Sequence, residues 1–364
     1  IMKNEFFAAV NSYEGFKSYY KDIFGNLNRL YIIKGGPGTG KSTLMRKVAD
    51  EAENQGHSVE FFYCSSDPTS LDGVLITSLG IGIVDGTAPH LMDADLPGAR
   101  DEIVNLCDFW KSEKLREART DIEILNKRKS AGYSTVFSYL SAIGDINRDK
   151  ISVLTSVIDS EKINNFAHRF VRTNASKKTI DISGEIFSGS DIRVTEAFGM
   201  FGKKYLTSFE EASDTHYFIS DRYGIAPILL RSILKSMPEY GGRAVIGIGA
   251  PNGEICGLLL PDKSVSITVL RSENEHFANT DESESSPRII STERFIRKEL
   301  FKTVKPRIKR AEKYTEILMN ETETAFADIR MNHFAIEDIY KGAMDFRKED
   351  EYTKKLIKKI FSKK

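Results

Sequence analysis

Cysteine is scarce in this chain, and neither sign of charge is in surplus. The 364 residues hold three cysteines, Cys64, Cys107 and Cys256. None forms a CxxC pair, and an odd number excludes a complete disulfide framework. The expectation is free buried thiols in a reducing compartment. Lys plus Arg and Asp plus Glu number 52 each, so the formal net charge is zero. Such a chain lacks the global field that holds nucleic acid non-specifically, and only a local basic patch could do so. No apolar run reaches membrane-spanning length. The opening residues, Ile1-Met2-Lys3-Asn4-Glu5, lack the apolar core of a secretory signal, which points to the cytoplasm.

What is present is the composition of a globular protein, 40% hydrophobic and 29% charged, with length enough for two domains. Residues 29–34 read as a short apolar strand. A glycine-rich turn follows, then a helix from Lys41 to about Asn54, with Gly56 where a helix stop is expected. Val59–Cys64 and Ile81–Val84 are further strand candidates. Strand, helix and strand in this order predict an α/β fold with a parallel sheet and right-handed crossovers. Residues 101–165 turn helical and charged. Residues 280–287 are polar and breaker-rich, hence a surface loop. Lys354–Lys364 is Lys-rich, and Leu356, Ile357, Ile360 and Phe361 share one helical face, as in a docked or frayed terminal helix.

The turn carries the chemistry. Gly35, Gly36, Pro37, Gly38, Thr39, Gly40, Lys41, Ser42 and Thr43 fit the pattern G-x-x-x-x-G-K-[ST]. Glycines let backbone N–H groups approach phosphates, and the following helix N-terminus favours an anion. In such a loop Lys41 reaches the β- and γ-phosphates, Ser42 coordinates Mg²⁺, and Thr43 lies on the α-phosphate side. A strand before the loop and a breaker-free helix after it supply the required context. Mg²⁺ also needs an acidic residue at the end of a neighbouring strand. Asp85, closing Ile81-Gly-Ile-Val-Asp85, is the candidate, with a cap on the turn Asp85-Gly86-Thr87 as the plainer reading. Asp67 or Asp72 could orient a water or a substrate hydroxyl, although Asp67 could equally cap the turn before Pro68. His90 could shuttle protons or be structural.

The second half repeats this layout. Tyr217-Phe218-Ile219 mirrors Tyr31-Ile32-Ile33 at an offset of 217 − 31 = 186. At that offset Gly224 meets Gly38, Leu230 meets Leu44, Gly242 meets Gly56, Val245 meets Val59, Ile267 meets Ile81 and His276 meets His90. A local two-residue shift brings Gly257 opposite Gly73. This predicts a duplicated P-loop NTPase domain, a helical insertion after each core, and units at 1–165 and 166–364. The second loop, Asp221–Leu229, is degenerate. Pro227 stands for Lys41 and Ile228 for Ser42, while Arg271 stands for Asp85 or, with a one-residue slip, Leu270. Pro227 is still compatible with a first helical turn. The two halves could form an intramolecular pseudo-dimer in which the second lends an arginine, with Arg222, Arg231 and Arg271 as candidates.

With these residues the chain resembles a family of bacterial tandem P-loop ATPases whose substrate is not established. The resemblance rests on Gly15-Phe-Lys-Ser-Tyr-Tyr20, Gly35–Thr43, Cys64–Gly73, Asp85–His90, Pro97–Ile103 and Ala343–Phe346. It implies two P-loop domains and ATP binding. Family members typically keep a second intact loop, from which this sequence departs at Asp221–Leu229. The leading expectation is an Mg-ATP-dependent ATPase that couples hydrolysis to a conformational or partner cycle. The alternatives are a small-molecule or nucleotide kinase, with Arg100, Arg116 and Arg119 as lid arginines, and a non-catalytic nucleotide-gated module. No N-K-x-D motif is present to read guanine, so ATP is the default nucleotide.

Overall fold

The computed structural model describes residues 4–87, 92–175, 191–239, 243–278 and 288–362. The first half begins with β1 (Asn4–Phe7), a hairpin of β2 (Ala9–Ser12) and β3 (Gly15–Ser18), and α1 (Tyr20–Phe24). There follow β4 (Arg29–Lys34), α2 (Lys41–Asn54), β5 (Val59–Tyr63), β6 (Leu71–Ile76), β7 (Ile81–Asp85) and β8 (Asp101–Asn105). Three helices close it: α3 (Ser112–Glu117), α4 (Arg119–Thr155) and α5 (Ser160–Asn174). The second half runs through β9 (Asp191–Val194), a hairpin of β10 (Glu196–Gly199) and β11 (Gly202–Tyr205), α6 (Ser208–Glu211), β12 (Thr215–Ser220) and α7 (Ala226–Ser236). It ends with β13 (Val245–Ile248), β14 (Ile255–Leu260), β15 (Val265–Val269), α8 (Glu275–Ala278), β16 (Arg288–Ser291), α9 (Lys298–Gly342) and α10 (Phe346–Phe361).

Among the described residues, twelve strands form one sheet rather than two. Its order is β16-β12-β15-β14-β13-β9-β1-β5-β6-β7-β4-β8, so the second half's strands follow the first half's as a reversed sequence. The seam is an antiparallel contact between Phe7 of β1 and Val194 of β9. The sheet is mixed, not parallel as the strand–helix–strand order predicted. β6 runs antiparallel to both β5 and β7. The chain explains this: residues 64–70 and 77–80 are too short for the crossover of a dozen or more residues that parallel neighbours require.

One further expectation is corrected. Residues 101–105, read as helical, are the edge strand β8, and residues 288–291 form the other edge strand, β16. Edge strands face solvent on one side and carry charge there, which hides their period. Ile103 and Ile289, at matching positions, are 55% and 56% exposed. The boundary near residue 165 falls inside α5.

The helices cross between halves. Leu154, Ile163, Phe170 and Val171, from α4 and α5, lie in the core of the second half with Tyr217, Leu229 and Ile267. Leu356 and Ile360, from α10, lie in the core of the first half with Tyr31, Leu44 and Ile83. The terminal helix is therefore docked, the first of the two alternatives, docked or frayed, read from its apolar face. Backbone bridges mark the crossing: Trp110 pairs with Met344 and Ile158 with Ile296. Helices α5 and α10 start alike, with Asp159 and Asp345 accepting from the backbone N–H of Lys162 and Lys348.

Helices α4 and α9 pack along each other. Val136, Leu140 and Ile143 meet Phe326 and Ile329, a seam at helical spacing. No helix among the described residues is long and apolar enough to cross a membrane. The three cysteines are free, Cys256 buried and Cys64 and Cys107 only half-buried. His90, Gly242 and the loop 280–287 lie outside the described residues.

Candidate functional site

The loop Gly35–Gly40 joins the end of β4 to the start of α2. Gly38 has φ 68° and Gly40 φ 89°, values that residues with a Cβ resist. Close packing adds to the need for glycine. A Cβ on Gly36 would stand 2.8 Å from the Tyr340 ring, and one on Gly38 would stand 2.8 Å from the Glu337 carbonyl oxygen. Both neighbours belong to the last turns of α9, so the second half's helix covers the first half's loop. Glu349 of α10 lies behind Gly40, its carboxyl carbon 3.4 Å from a Cβ placed there.

Within the loop, Thr39 Oγ1 donates to the Gly36 carbonyl at 2.8 Å. Lys41 Nζ donates to the carbonyls of Gly35 at 3.0 Å and Gly36 at 2.7 Å. The same ammonium lies 3.4 Å from Asp85 Oδ2, with both side chains largely buried. Asp85 takes the turn-capping role read from the sequence. Its Oδ1 accepts from Thr87 N at 2.8 Å, capping the turn, while Oδ2 faces Lys41. Burial pushes the Asp85 carboxyl above the usual range, Lys41 opposes this, and Asp72 adds to it. Ser42 Oγ accepts from Leu71 N at 3.0 Å, tying the start of α2 to β6. Pro37 is half-buried and Thr43 is exposed.

Asp67 is 5% exposed and accepts from Thr69 N at 3.1 Å and Thr69 Oγ1 at 2.7 Å, the turn-capping alternative. Its loop is held from the second half, since Met200 N donates to the Ser66 carbonyl at 2.9 Å. Asp72, also 5% exposed, lies close enough to Asp85 to raise its carboxyl, and close enough to Tyr20 to hydrogen-bond its hydroxyl.

The start of α2 has no side-chain cap and no acidic residue in its first turn. Helix α7 differs at the matching place. There Asp221 accepts from Ile225 N at 2.9 Å, Ala226 N at 2.8 Å and Thr292 Oγ1 at 2.9 Å. Pro227 sits in the first turn of α7, where the missing N–H costs nothing. The strand register corrects one match. Ile33 pairs with Asp85 and Ile219 with Val269, so Val269, not Arg271 or Leu270, holds the place of Asp85. Likewise Tyr31 pairs with Ile83 and Tyr217 with Ile267, so the two-residue shift at Gly257 persists through β15.

The candidate arginines have partners on their own half. Arg271 is bound to Glu196 at 2.8–2.9 Å, Arg231 pairs with Glu254, and Arg222 lies over the Tyr223 ring. Of the lid candidates, Arg100 is held by Asp101 at 2.6 Å, Arg119 by Glu123 at 2.7 Å, and Arg116 is exposed. The basic groups near Lys41 that sequence reasoning missed are Lys129 of α4 and His333 of α9, both in electrostatic contact with it. Nothing in their local sequence distinguishes them from other helix-surface residues.

The model of the family described as nephrocystin 3, N-terminal, matches residues 15–79, a stretch that runs from β3 through β6 and contains the loop. No curated protein and no solved structure matches the chain.

Proposed function

We propose that the chain is an Mg-ATP-dependent P-loop NTPase, with one working site at Gly35–Thr43 and a second half that is a degenerate copy of the first. One observation carries the reading: no carboxylate occupies the start of α2 behind the glycine loop bearing Lys41, whereas Asp221, ahead of α7, accepts from the N–H groups of Ile225 and Ala226. An uncapped helix start with a lysine folded over the loop suits a polyphosphate. At the second loop, Asp221 already occupies the backbone donors that a phosphate would use, and Pro227 and Ile228 supply neither cation nor hydroxyl. The reversed strand order and the paired bridges at Trp110–Met344 and Ile158–Ile296 support a duplication folded as an intramolecular pseudo-dimer.

In this reading Lys41 leaves the carbonyls of Gly35 and Gly36 for the β- and γ-phosphates. Ser42 and Asp85 would hold Mg²⁺, which neutralises the charge of the phosphates. The donor set fits an ion that is bound mostly by its nucleotide. Among the described residues no three His, Cys, Asp or Glu side chains could hold a metal by themselves. Asp67 or Asp72 would orient the attacking water. The ATPase reading stands ahead of the kinase because the sequence carries no acceptor-specific motif.

The test is Mg²⁺-dependent phosphate release from ATP, wild type beside Lys41→Ala. Release by the wild type and its loss in the variant is the expected result. Release that survives in Lys41→Ala would place hydrolysis elsewhere. No release by either protein, with ATP still bound, would move the reading to a nucleotide-gated module.

A further inference from the structure

The hairpin β10–β11 of the second half turns at Met200-Phe201, and its tip lies on the first half's loop between β5 and β6. Met200 N donates to the Ser66 carbonyl at 2.9 Å. A Cβ on Gly199 would stand 2.5 Å from the Ser65 carbonyl oxygen and 2.7 Å from Ser66 Cα, so the two backbones meet only because residue 199 has no side chain. Asn11 Nδ2 donates to the Phe198 carbonyl at 2.9 Å and holds the hairpin in place. Asp67 is the next residue of the clamped loop. Beyond it the loop is tied to α2: Arg46 donates to the Thr69 carbonyl at 3.2 Å, and Leu71 N to Ser42 Oγ at 3.0 Å. Asp67 is thus held between the second half's hairpin and the first two turns of α2, directly after the glycine loop.

The other copy separates capping from chemistry. There the hairpin β2–β3 makes the same contact, with Tyr13 N donating to the Pro251 carbonyl at 2.9 Å. Tyr13 matches Met200 (200 − 13 = 187) and Pro251 matches Ser66 (251 − 66 = 185), one residue to either side of the offset of 186. Asp67 then matches Asn252, and the two turns are capped alike. Asn252 Oδ1 accepts from Glu254 N at 3.1 Å, as Asp67 Oδ1 does from Thr69 N at 3.1 Å. An amide oxygen suffices for that cap, so capping does not require the carboxylate at 67. Both side-chain bonds of Asp67 use Oδ1, and Oδ2 has no hydrogen bond among the described residues. The clamp differs as well. Ser12 stands where Gly199 does (199 − 12 = 187), so the residue with no Cβ faces the loop that keeps its carboxylate. That loop belongs to the half that also keeps Lys41 and Ser42.

We propose that Gly199 and Met200 are positioning residues: through Ser65 and Ser66 they set Asp67 for the water that attacks a nucleotide at Gly35–Thr43, so the second half governs turnover in the first. This rests on the ATPase reading of that loop. Gly199 does not have a positive φ, so alanine there acts only through its neighbours. Ordinary contact begins at 3.4 Å, and the added Cβ therefore displaces the loop by about 0.9 Å (3.4 − 2.5). A misplacement of about 1 Å costs about a hundredfold in rate. The experiment is Mg²⁺-dependent phosphate release by full-length wild type, Gly199→Ala, Asp67→Asn and the double variant. Asp67→Asn keeps the cap, as Asn252 does, and removes the charge. The expected result is a fall in kcat of about tenfold to a hundredfold in Gly199→Ala, KM for ATP unchanged, and no further fall when Gly199→Ala is added to Asp67→Asn. An unchanged kcat in Gly199→Ala, a rise in KM alone, or losses that multiply in the double variant would overturn the proposal and leave the ATPase reading standing. Should Gly199→Ala melt below the wild type, Tyr133→Phe carries the same cycle, since it removes only the hydroxyl that bonds Ser66 Oγ at 3.1 Å. A wild type that releases no phosphate would remove the ATPase reading, and this proposal with it.

Discussion

The crossing of α10 onto the first half makes Leu356→Ala the most informative substitution. Leu356 is 3% exposed and belongs to the same apolar cluster as Tyr31, Leu44, Val48 and Ile83. Truncating a buried leucine costs about 2–5 kcal/mol, from lost transfer energy and the cavity left behind. Leu356 lies at the rim formed by one helix and the sheet, where partial collapse is possible, so about 3 kcal/mol is expected. Whole domains are stable by about 5–15 kcal/mol, so this is a large fraction. The control is Leu300→Ala on α9, 45% exposed, which should change stability by less than about 0.5 kcal/mol. Denaturant unfolding gives the magnitude, and hydrogen exchange resolved by peptide gives the place. If α10 completes the first half, amides of β4 and α2 lose protection although the substitution lies more than 300 residues along the chain. Greater loss in β12 and α7, or a cost no larger than that of Leu300→Ala, would refute the crossing.

Two further outcomes follow from the same contacts. Asp221→Ala removes the acceptor for two N–H groups at the start of α7 and should destabilise the protein by about 1–2 kcal/mol, read from the urea midpoint. Asp350 of α10 bonds Lys47 of α2 at 2.6 Å and Lys354 at 2.7 Å, and these partners hold its carboxyl down from 3.8 to about 2. A depressed carboxyl stabilises the fold above its unfolded value and loses that contribution as pH falls. The stability gap between wild type and Asp350→Asn should therefore be present above pH 3.8 and close toward about pH 2, which acid titrations of both proteins would show.

The glycine-rich loop and its flanking elements were legible because their signals are local. β4 and α2 span 29–34 and 41–54, as the apolar run and breaker-free stretch required, because a strand and an amphipathic helix declare themselves within a dozen residues. That Asp221, Pro227 and Ile228 stand ahead of or at the start of α7 was plain from the sequence, although not that the Asp221 carboxylate would accept from the N–H groups of Ile225 and Ala226. The edge strands β8 and β16 were not legible. With one face in water they carry Asp101, Glu102 and Arg288, and charge there reads as helix surface.

Residue chemistry and spacing alone thus placed the strand β4, the glycine-rich turn after it and the helix α2 that follows. Tertiary structure decided how the two halves of the chain meet. One sheet forms rather than two because β1 finds β9, and each half's final helix packs on the other half's core because the bridges at Trp110–Met344 and Ile158–Ile296 carry the chain across. An apolar helical face such as that of Leu356 and Ile360 specifies that something must cover it, and not what does. For the same reason Lys129 and His333 become neighbours of Lys41 only when α4 and α9 have packed, since a contact across so many residues is written in the docking of whole helices and in no local pattern.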